Sequence, residues 1–391
     1  MAEVDTEIPI FKFEKFLPLY PLPLRLATLL IYGIWLYGIN LRVFNRLNLD
    51  TAALLHHPST PNHTSVFRLA AVLSIVLATS TALYWAATHF GNTERALQYF
   101  ALPNGTLLLI ILLAFILPNR TLFPKQLWPS GRSRARNTLG RVCWGGLAPD
   151  GNGRFGDILM ADALTSYSRP LMETYLSFRL FFTSADTVKA AAGGVNRNID
   201  PWLCTLIFCW PFLMRMRQCH VANQPGNLLK YAASVTALIM ATIASIDKGD
   251  LWAQVGLPIS ALVATFYSFY WDVAYDWDLE LFSYSAWGDS NYPHGLRPTL
   301  LFAPWKYYAM ILLDLLLRLV WMMRFLAPHF YGTEPGFFFV EILEITRRFL
   351  WTFFRVETEH LRKVRVGMQE VEMRERGVYD YEHDQEDGIV R

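Results

Sequence analysis

The chain has 391 residues, 53% hydrophobic and 15% aromatic, and its 17% of charged residues falls well below the roughly 25% of ordinary soluble domains. That composition predicts a membrane protein before any motif is read. A formal net charge of +2 shows no basic footprint of the kind a nucleic-acid partner requires, so no nucleic-acid function is expected.

In chain order, the N-terminus MAEVDTEIPIFKFEKF has no basic segment leading directly into an apolar core and a small-residue cleavage site, so no removable signal peptide is expected. A spanning helix needs about 20 mostly apolar residues to cross a hydrocarbon core of roughly 30 Å. Leu24 to Leu41, Val66 to Thr88, Leu107 to Leu117 with its leading QYFALPNG, Leu228 to Ile246, Leu251 to Tyr270, Tyr307 to Leu326 and Phe337 to Phe354 read as spans. Asp157 to Phe182 and Trp202 to Met216 read as two more, with Asp162, Thr165, Ser166 and Arg169 forming a polar stripe that should face other helices or a water-filled cavity. The expectation is an all-α, polytopic transmembrane helix bundle of about nine spans, in a range of 8 to 10. It divides into a short N-terminal segment (1–23), a transmembrane domain (24–356) containing a basic loop (118–156), and a charged C-terminal tail (357–391).

The basic loop carries Arg132, Arg134, Arg136 and Arg141 and favours the cytosol, as do Lys12, Lys15 and Arg25. Three expected spans separate the two clusters, so either one of them is translocated or RNTLGRVCWGGLAP dips into the membrane. Cys143, Cys204, Cys209 and Cys219 form no C-x-x-C pair and read as small buried hydrophobes. Sequons stand at Asn62, Asn104 and Asn119. Beyond Arg355 the charges alternate, which describes a solvated, partly helical tail.

Ionisable residues within spans are costly unless paired or solvated, so a cluster of them calls for ion pairing or a solute path. Asp162, Arg169, Arg179, Arg215, Arg217, Lys230, Asp272, Asp276, Asp314, Arg318, Glu344, Arg347 and Arg348 all lie in or beside expected spans. Asp272 and Asp276 are four apart and project from one helix face. Asp314 and Arg318, and likewise Glu344 and Arg348, have the spacing of intrahelical ion pairs. These pairs leave Arg215, Lys230 and Arg347 unassigned, and an excess of planar guanidinium forks favours a tetrahedral oxyanion such as phosphate. The competing reading is that every charge belongs to a structural pair between helices. Trp321, one turn beyond Arg318, reads either as an interface anchor or as a gate beside that guanidinium.

Enzyme signals are poor: no H-E-x-x-H, Walker loop, G-x-S-x-G or DxD motif stands in a suitable setting, and DGNGRFGD (150–157) lacks the ligand order of a calcium loop. His56, His57 and His63 read as a solvated loop rather than a metal site. No cofactor, metal or catalytic residue is expected.

Several stretches carry a family resemblance: MADALTS (160–166), PFLMRMRQC (211–219), LLKYA around Lys230 and Tyr231, YSFYWDVAYDW, PWKYYAMILLDLLLRLVW and EITRRFLWTFFRVETEH. Across most of the chain, from Leu24 to about Arg365, the sequence resembles the EXS family of membrane proteins. That family is named for a yeast ER-retention-defective protein, the xenotropic retrovirus receptor phosphate exporter and a yeast G-protein suppressor. The resemblance implies that Asp162, Lys230, Asp272, Asp276, Arg318, Trp321, Arg347 and Arg348 line a phosphate pathway. Arg215, Tyr231 and Glu344 join them as pathway candidates, from the motifs and from the expected pairing of Glu344 with Arg348. Two departures stand out: Thr165 replaces the motif asparagine, and His220-Val221-Ala222-Asn223 replaces a basic stretch found in exporters.

Residues 1–23 are too few for the SPX sensor domain of the exporters, so the resemblance implies the shorter, ER-retention-defective branch. It further implies a multi-pass Golgi protein that returns lumenal inorganic phosphate, a by-product of glycosylation, to the cytosol. The expected partners are phosphate, membrane lipid and a second copy of the chain, with Gly33 and Gly38 allowing close approach of first spans. The alternative is a sorting or retention factor that moves no solute and binds glycosyltransferase tails or coat adaptors through its tail and basic loop.

Overall fold

A computed structural model of the protein describes residues 16–55, 63–116, 129–149, 153–181, 200–247, 249–286, 289 and 292–375. Lys12, Lys15, His56, His57, Asn62, Asn119 and the end of the tail lie outside the described residues, as does the side chain of Arg132. The described residues contain no strand, and the molecule is an all-α membrane protein.

Eleven main helices make up the described residues: α1 (Leu22–Arg46), α2 (His63–Thr88), α3 (Ala101–Ile111), α4 (Pro129–Val142), α5 (Arg154–Ser166), α6 (Ser168–Phe181), α7 (Pro201–Val221), α8 (Pro225–Ile246), α9 (Leu251–Trp271), α10 (Pro304–Arg318) and α11 (Glu334–Glu375). Their starts follow local chemistry. The Asp200 and Asp250 carboxylates accept from Trp202 N at 2.9 Å and Trp252 N at 3.0 Å, capping α7 and α9. Proline opens α4, α7, α8, α10 and the second residue of α11, where its missing N–H costs nothing. The α7–α8 turn is tight because Asn223 adopts a left-handed φ of 52°, a conformation that asparagine tolerates better than most residues.

Among the described residues four helices are long and apolar enough to cross a membrane: α1, α2, α8, and α9 with its continuation to Asp276. The other expected spans are helical but shorter, broken or interrupted by charge. Asp157 to Phe181 is not one continuous helix: α5 ends at Ser166 and α6 restarts at Ser168. Tyr167 fills the break, its hydroxyl donating to Leu29 O at 2.9 Å on α1. Tyr307 to Leu326 also breaks, because α10 ends at Arg318 and a 3-10 turn, Val320–Met322, follows. α3 loosens into a π turn, Leu112–Ile116, and α9 into another, Asp272–Asp276.

Helices α1, α2 and α3 share an apolar core around Leu26, Leu69, Leu73, Leu107 and Ile110. A second core, of Val273, Trp277, Tyr307, Trp351 and Phe354, joins the end of α9 to α10 and α11. Leu206, Leu229, Ile239, Val255, Ile259 and Phe266 are exposed, as befits surfaces solvated by lipid. The cysteines are free thiols, with Cys209 and Cys219 buried. Asn104 is buried, its amide donating to Phe100 O at 3.0 Å and accepting from Ser177 at 2.7 Å, so this sequon offers no free side chain.

Two expectations change. The glycines of the first span are occupied within the protomer: a Cβ at Gly33 would collide with the Tyr167 hydroxyl, and one at Gly38 would lie 2.6 Å from the Phe67 ring. The stretch after Arg355 does not leave the core at once. Glu357 and Thr358 are buried; Arg297 bonds Glu357 at 2.7 Å and Thr358 at 2.7 Å, and Tyr307 also donates to Glu357.

Candidate functional site

Two of the broken elements aim charge at one place. The π turn of α9 widens the helix and leaves both Asp272 and Asp276 facing Lys230 of α8, whose Nζ lies 2.8 and 3.2 Å from them. Asp272 is fully buried and also receives Arg318 Nη2, while Arg347 Nη1 stands 3.7 Å away. Asp314 ties the same two arginines together, accepting from Arg318 Nε at 2.8 Å and Arg347 Nη1 at 3.1 Å. The i,i+4 pairing of Asp314 with Arg318 is present as its spacing predicts.

A second group adjoins through α5. Asp162 lies 2.8 Å from Arg215 Nε and accepts from the Tyr231 hydroxyl at 2.6 Å. Gln218 then fixes Arg215, accepting from it at 2.8 Å and donating to Gly146 O at 2.9 Å. The three cations that helical spacing left unassigned, Arg215, Lys230 and Arg347, thus each have carboxylates. Arg215, Lys230, Arg318, Arg347 and Arg348 and the carboxylates Asp162, Asp272, Asp276, Asp314 and Glu344 are equal in number, and every one of these cations but Arg348 is ion-paired.

Glu344 does not pair with Arg348. Its carboxylate holds Arg347 at 2.7 and 2.9 Å and accepts from Ser166 at 2.8 Å. Ser166 stands between Glu344 and Arg348, accepting from Arg348 Nε at 3.2 Å. Arg348 has in addition the Thr165 hydroxyl at 3.3 Å and the Trp351 ring, 4.6 Å from guanidinium carbon to ring centroid. Among the described residues no carboxylate lies within ion-pair distance of Arg348. It lines, with Ser166, a cavity of about 930 Å³ whose other walls include Leu30, Tyr37, Phe115 and Arg134.

Trp321 is not one α-turn beyond Arg318. It sits on the 3-10 turn, and its indole N–H donates to Thr265 of α9 at 3.0 Å. Sequence reasoning did not place Ser166, Gln218 or Arg355 among the pathway residues; Arg355 stands 3.8 Å from Asp276 and 3.2 Å from Glu359. Arg355 had a signal in its place within EITRRFLWTFFRVETEH. The hydroxyls had one in the polar stripe of Asp162 to Arg169 and the glutamine in PFLMRMRQC, but neutral side chains gave no reason to assign them a partner.

The EXS family profile matches residues 20–361, which contain every residue of this network. The chain belongs to the EXS family. Its EXS relatives include Protein ERD1 homolog 1 of Schizosaccharomyces pombe, 27% identical over 88% of this chain and 92% of that protein. Protein ERD1 of Kluyveromyces lactis is 32% identical over 52% of this chain and 58% of its own length. Phosphate transporter PHO1 homolog 8 of Arabidopsis thaliana is 31% identical over 53% of this chain and 28% of its own. The EXS match thus takes in nearly all of the fission-yeast relative but under a third of the plant protein.

Proposed function

We propose that this EXS protein is a Golgi-membrane transporter that returns lumenal inorganic phosphate to the cytosol, supporting glycosylation and the retention of resident proteins. The observation that carries the reading is Arg348, a guanidinium held by two hydroxyls and an aromatic ring at the wall of a cavity. Its planar donor fork suits a tetrahedral oxyanion, and hydroxyl partners are surrendered at less cost than carboxylates. The PHO1 names of several relatives support phosphate as the solute, and the ERD1 likeness supports the Golgi address.

From Arg348 the anion has a continuous route. Arg347 is held by Glu344 and Asp314, Arg318 by Asp314 and Asp272, and Lys230 by Asp272 and Asp276, so successive cations share carboxylates. An arriving phosphate exchanges with a carboxylate at each step, and no buried cation is left bare, which avoids the penalty of about 3–5 kcal/mol for breaking a buried pair. The carboxylates also keep binding weak enough for release, as conduction requires.

The test is radiolabelled phosphate flux and equilibrium binding in proteoliposomes of the full chain. Arg348→Lys keeps the charge and loses the fork, so binding should weaken about tenfold, or roughly 1.4 kcal/mol. Arg348→Ala should abolish flux. Parental binding and flux in both variants would overturn the transport reading. Retention of resident proteins that survives loss of flux would instead favour a sorting factor.

A further inference from the structure

A second set of buried carboxyls lies apart from the anion network, where α6 meets α11. Glu173 and Glu341 are 8% and 5% exposed. One cation serves both: Arg169 Nε lies 2.9 Å from Glu173 and 3.5 Å from Glu341, with its guanidinium 3.7 Å from the Phe337 ring centroid. Glu341 Oε1 is buried and has no hydrogen-bond partner. The other charged groups facing the pair are Arg25 of α1 and Glu334 at the start of α11. Arg25 bonds Glu334 at 2.7 Å, and its Nε is buried and without a partner. Tyr20 is hydrogen-bonded to Thr28 and in ring contact with Phe338 of α11.

The local charges do not balance as they do in the anion network. Arg169 neutralises one carboxylate, Arg25 is engaged by the partly exposed Glu334, and a second carboxylate remains. Two buried carboxyls that share a single guanidinium cannot both be ionised without a second counter-charge, because like charges repel and water is excluded.

We propose that Glu173 and Glu341 hold one proton between them and form a proton-binding site whose occupancy is linked to the anion site. The linkage follows the two helices that carry both sites. Glu341 lies one turn before Glu344 on α11, and Arg169 follows directly on the break that places Ser166 against Glu344 and Arg348. Loss of the proton to water leaves two carboxylates sharing Arg169, and any relief requires α6, α11 or Arg25 to move. The α5–α11 contact of Ser166 with Glu344 lies one turn of α11 beyond the α6–α11 contact of Arg169 with Glu341. The linkage rests on the phosphate-transport reading; the shared proton does not.

Infrared spectra of the full-length protein in lipid nanodiscs at neutral pH test the proton directly. The wild type should show the carbonyl absorption of a protonated carboxylic acid, shifting on deuteration. Glu341→Gln and Glu173→Gln should each lose that band, since either leaves a single carboxylate for Arg169. Wild-type and Glu341→Gln spectra that superimpose there overturn the proposal. In proteoliposomes, a pH gradient should accelerate phosphate flux through the wild type, and in Glu341→Gln the ratio of fluxes with and without the gradient should fall to unity. A Glu341→Gln protein that keeps the wild-type ratio overturns the linkage. Absence of wild-type phosphate flux at every pH overturns the phosphate reading and the linkage with it, while the carbonyl band is judged by itself.

Discussion

At the scale of single residues, the two aspartates of the π turn have different work despite their shared face. Asp272 is fully buried against Lys230, Arg318 and Arg347, whereas Asp276 is partly exposed and meets Lys230 and, more distantly, Arg355. Asp272→Asn removes the common partner of three cations and should cost about 3–5 kcal/mol of stability, as for other broken buried pairs. Asp276→Asn leaves Lys230 on Asp272, so it should melt within about 1 kcal/mol of the parent while slowing phosphate flux. Thermal melting of both variants beside their flux checks this, and an Asp276 variant less stable than the Asp272 variant would contradict it. Local spacing revealed the Asp314–Arg318 pair because α10 is a regular helix across both positions. It could not reveal Asp162–Arg215 or Lys230–Asp272, whose partners are distant in sequence, so positive charge looked to be in excess. It misassigned Glu344 because Arg347, three residues on, competes for that carboxylate and Ser166 of another helix intervenes.

At the scale of elements, hydropathy located the apolar segments but not the breaks within them. A run of apolar residues satisfies a spanning length whether or not the helix is continuous, and the sequence signal for the Ser166–Tyr167–Ser168 junction is Pro170, which has no N–H to donate to Ser166 O four residues back. That break is held by tertiary contact, with the Tyr167 ring against the space that Gly33 leaves on α1. Gly33→Ala should therefore destabilise by the 1–3 kcal/mol or so typical of overpacking. Adding Tyr167→Phe removes the colliding hydroxyl and should recover part of the lost melting temperature, even though the bond to Leu29 O is also lost. A double variant less stable than Gly33→Ala alone would show that this contact is not the source of the strain. Because both glycines face inward, any pairing of two chains through α1 has to use another face of that helix.

At the scale of the whole molecule, α11 is 42 residues long, about 63 Å at 1.5 Å per residue, twice the hydrocarbon thickness it would have to cross. Its packed part ends beyond the hydropathic part: Glu357 and Thr358 clamp Arg297 in the core, while Val364 to Gln369 are exposed. A chain ending at Arg365 should keep the parental melting temperature. One ending at Arg355 strands Arg297 without its carboxylate and should fail to give a monodisperse peak in size-exclusion chromatography; equal behaviour of the two truncations would refute the clamp. The matched interior has an electrical consequence as well. A membrane potential exerts about 2.3 kcal/mol per elementary charge per 100 mV on whatever crosses it. Five cations and five carboxylates that shift as one unit carry no net charge through that field, so the network itself adds no gating charge. Voltage steps applied without phosphate, at a pH that keeps the Glu173–Glu341 site in one protonation state, should evoke no transient current, and any voltage dependence that appears with phosphate belongs to the solute and the protons that accompany it.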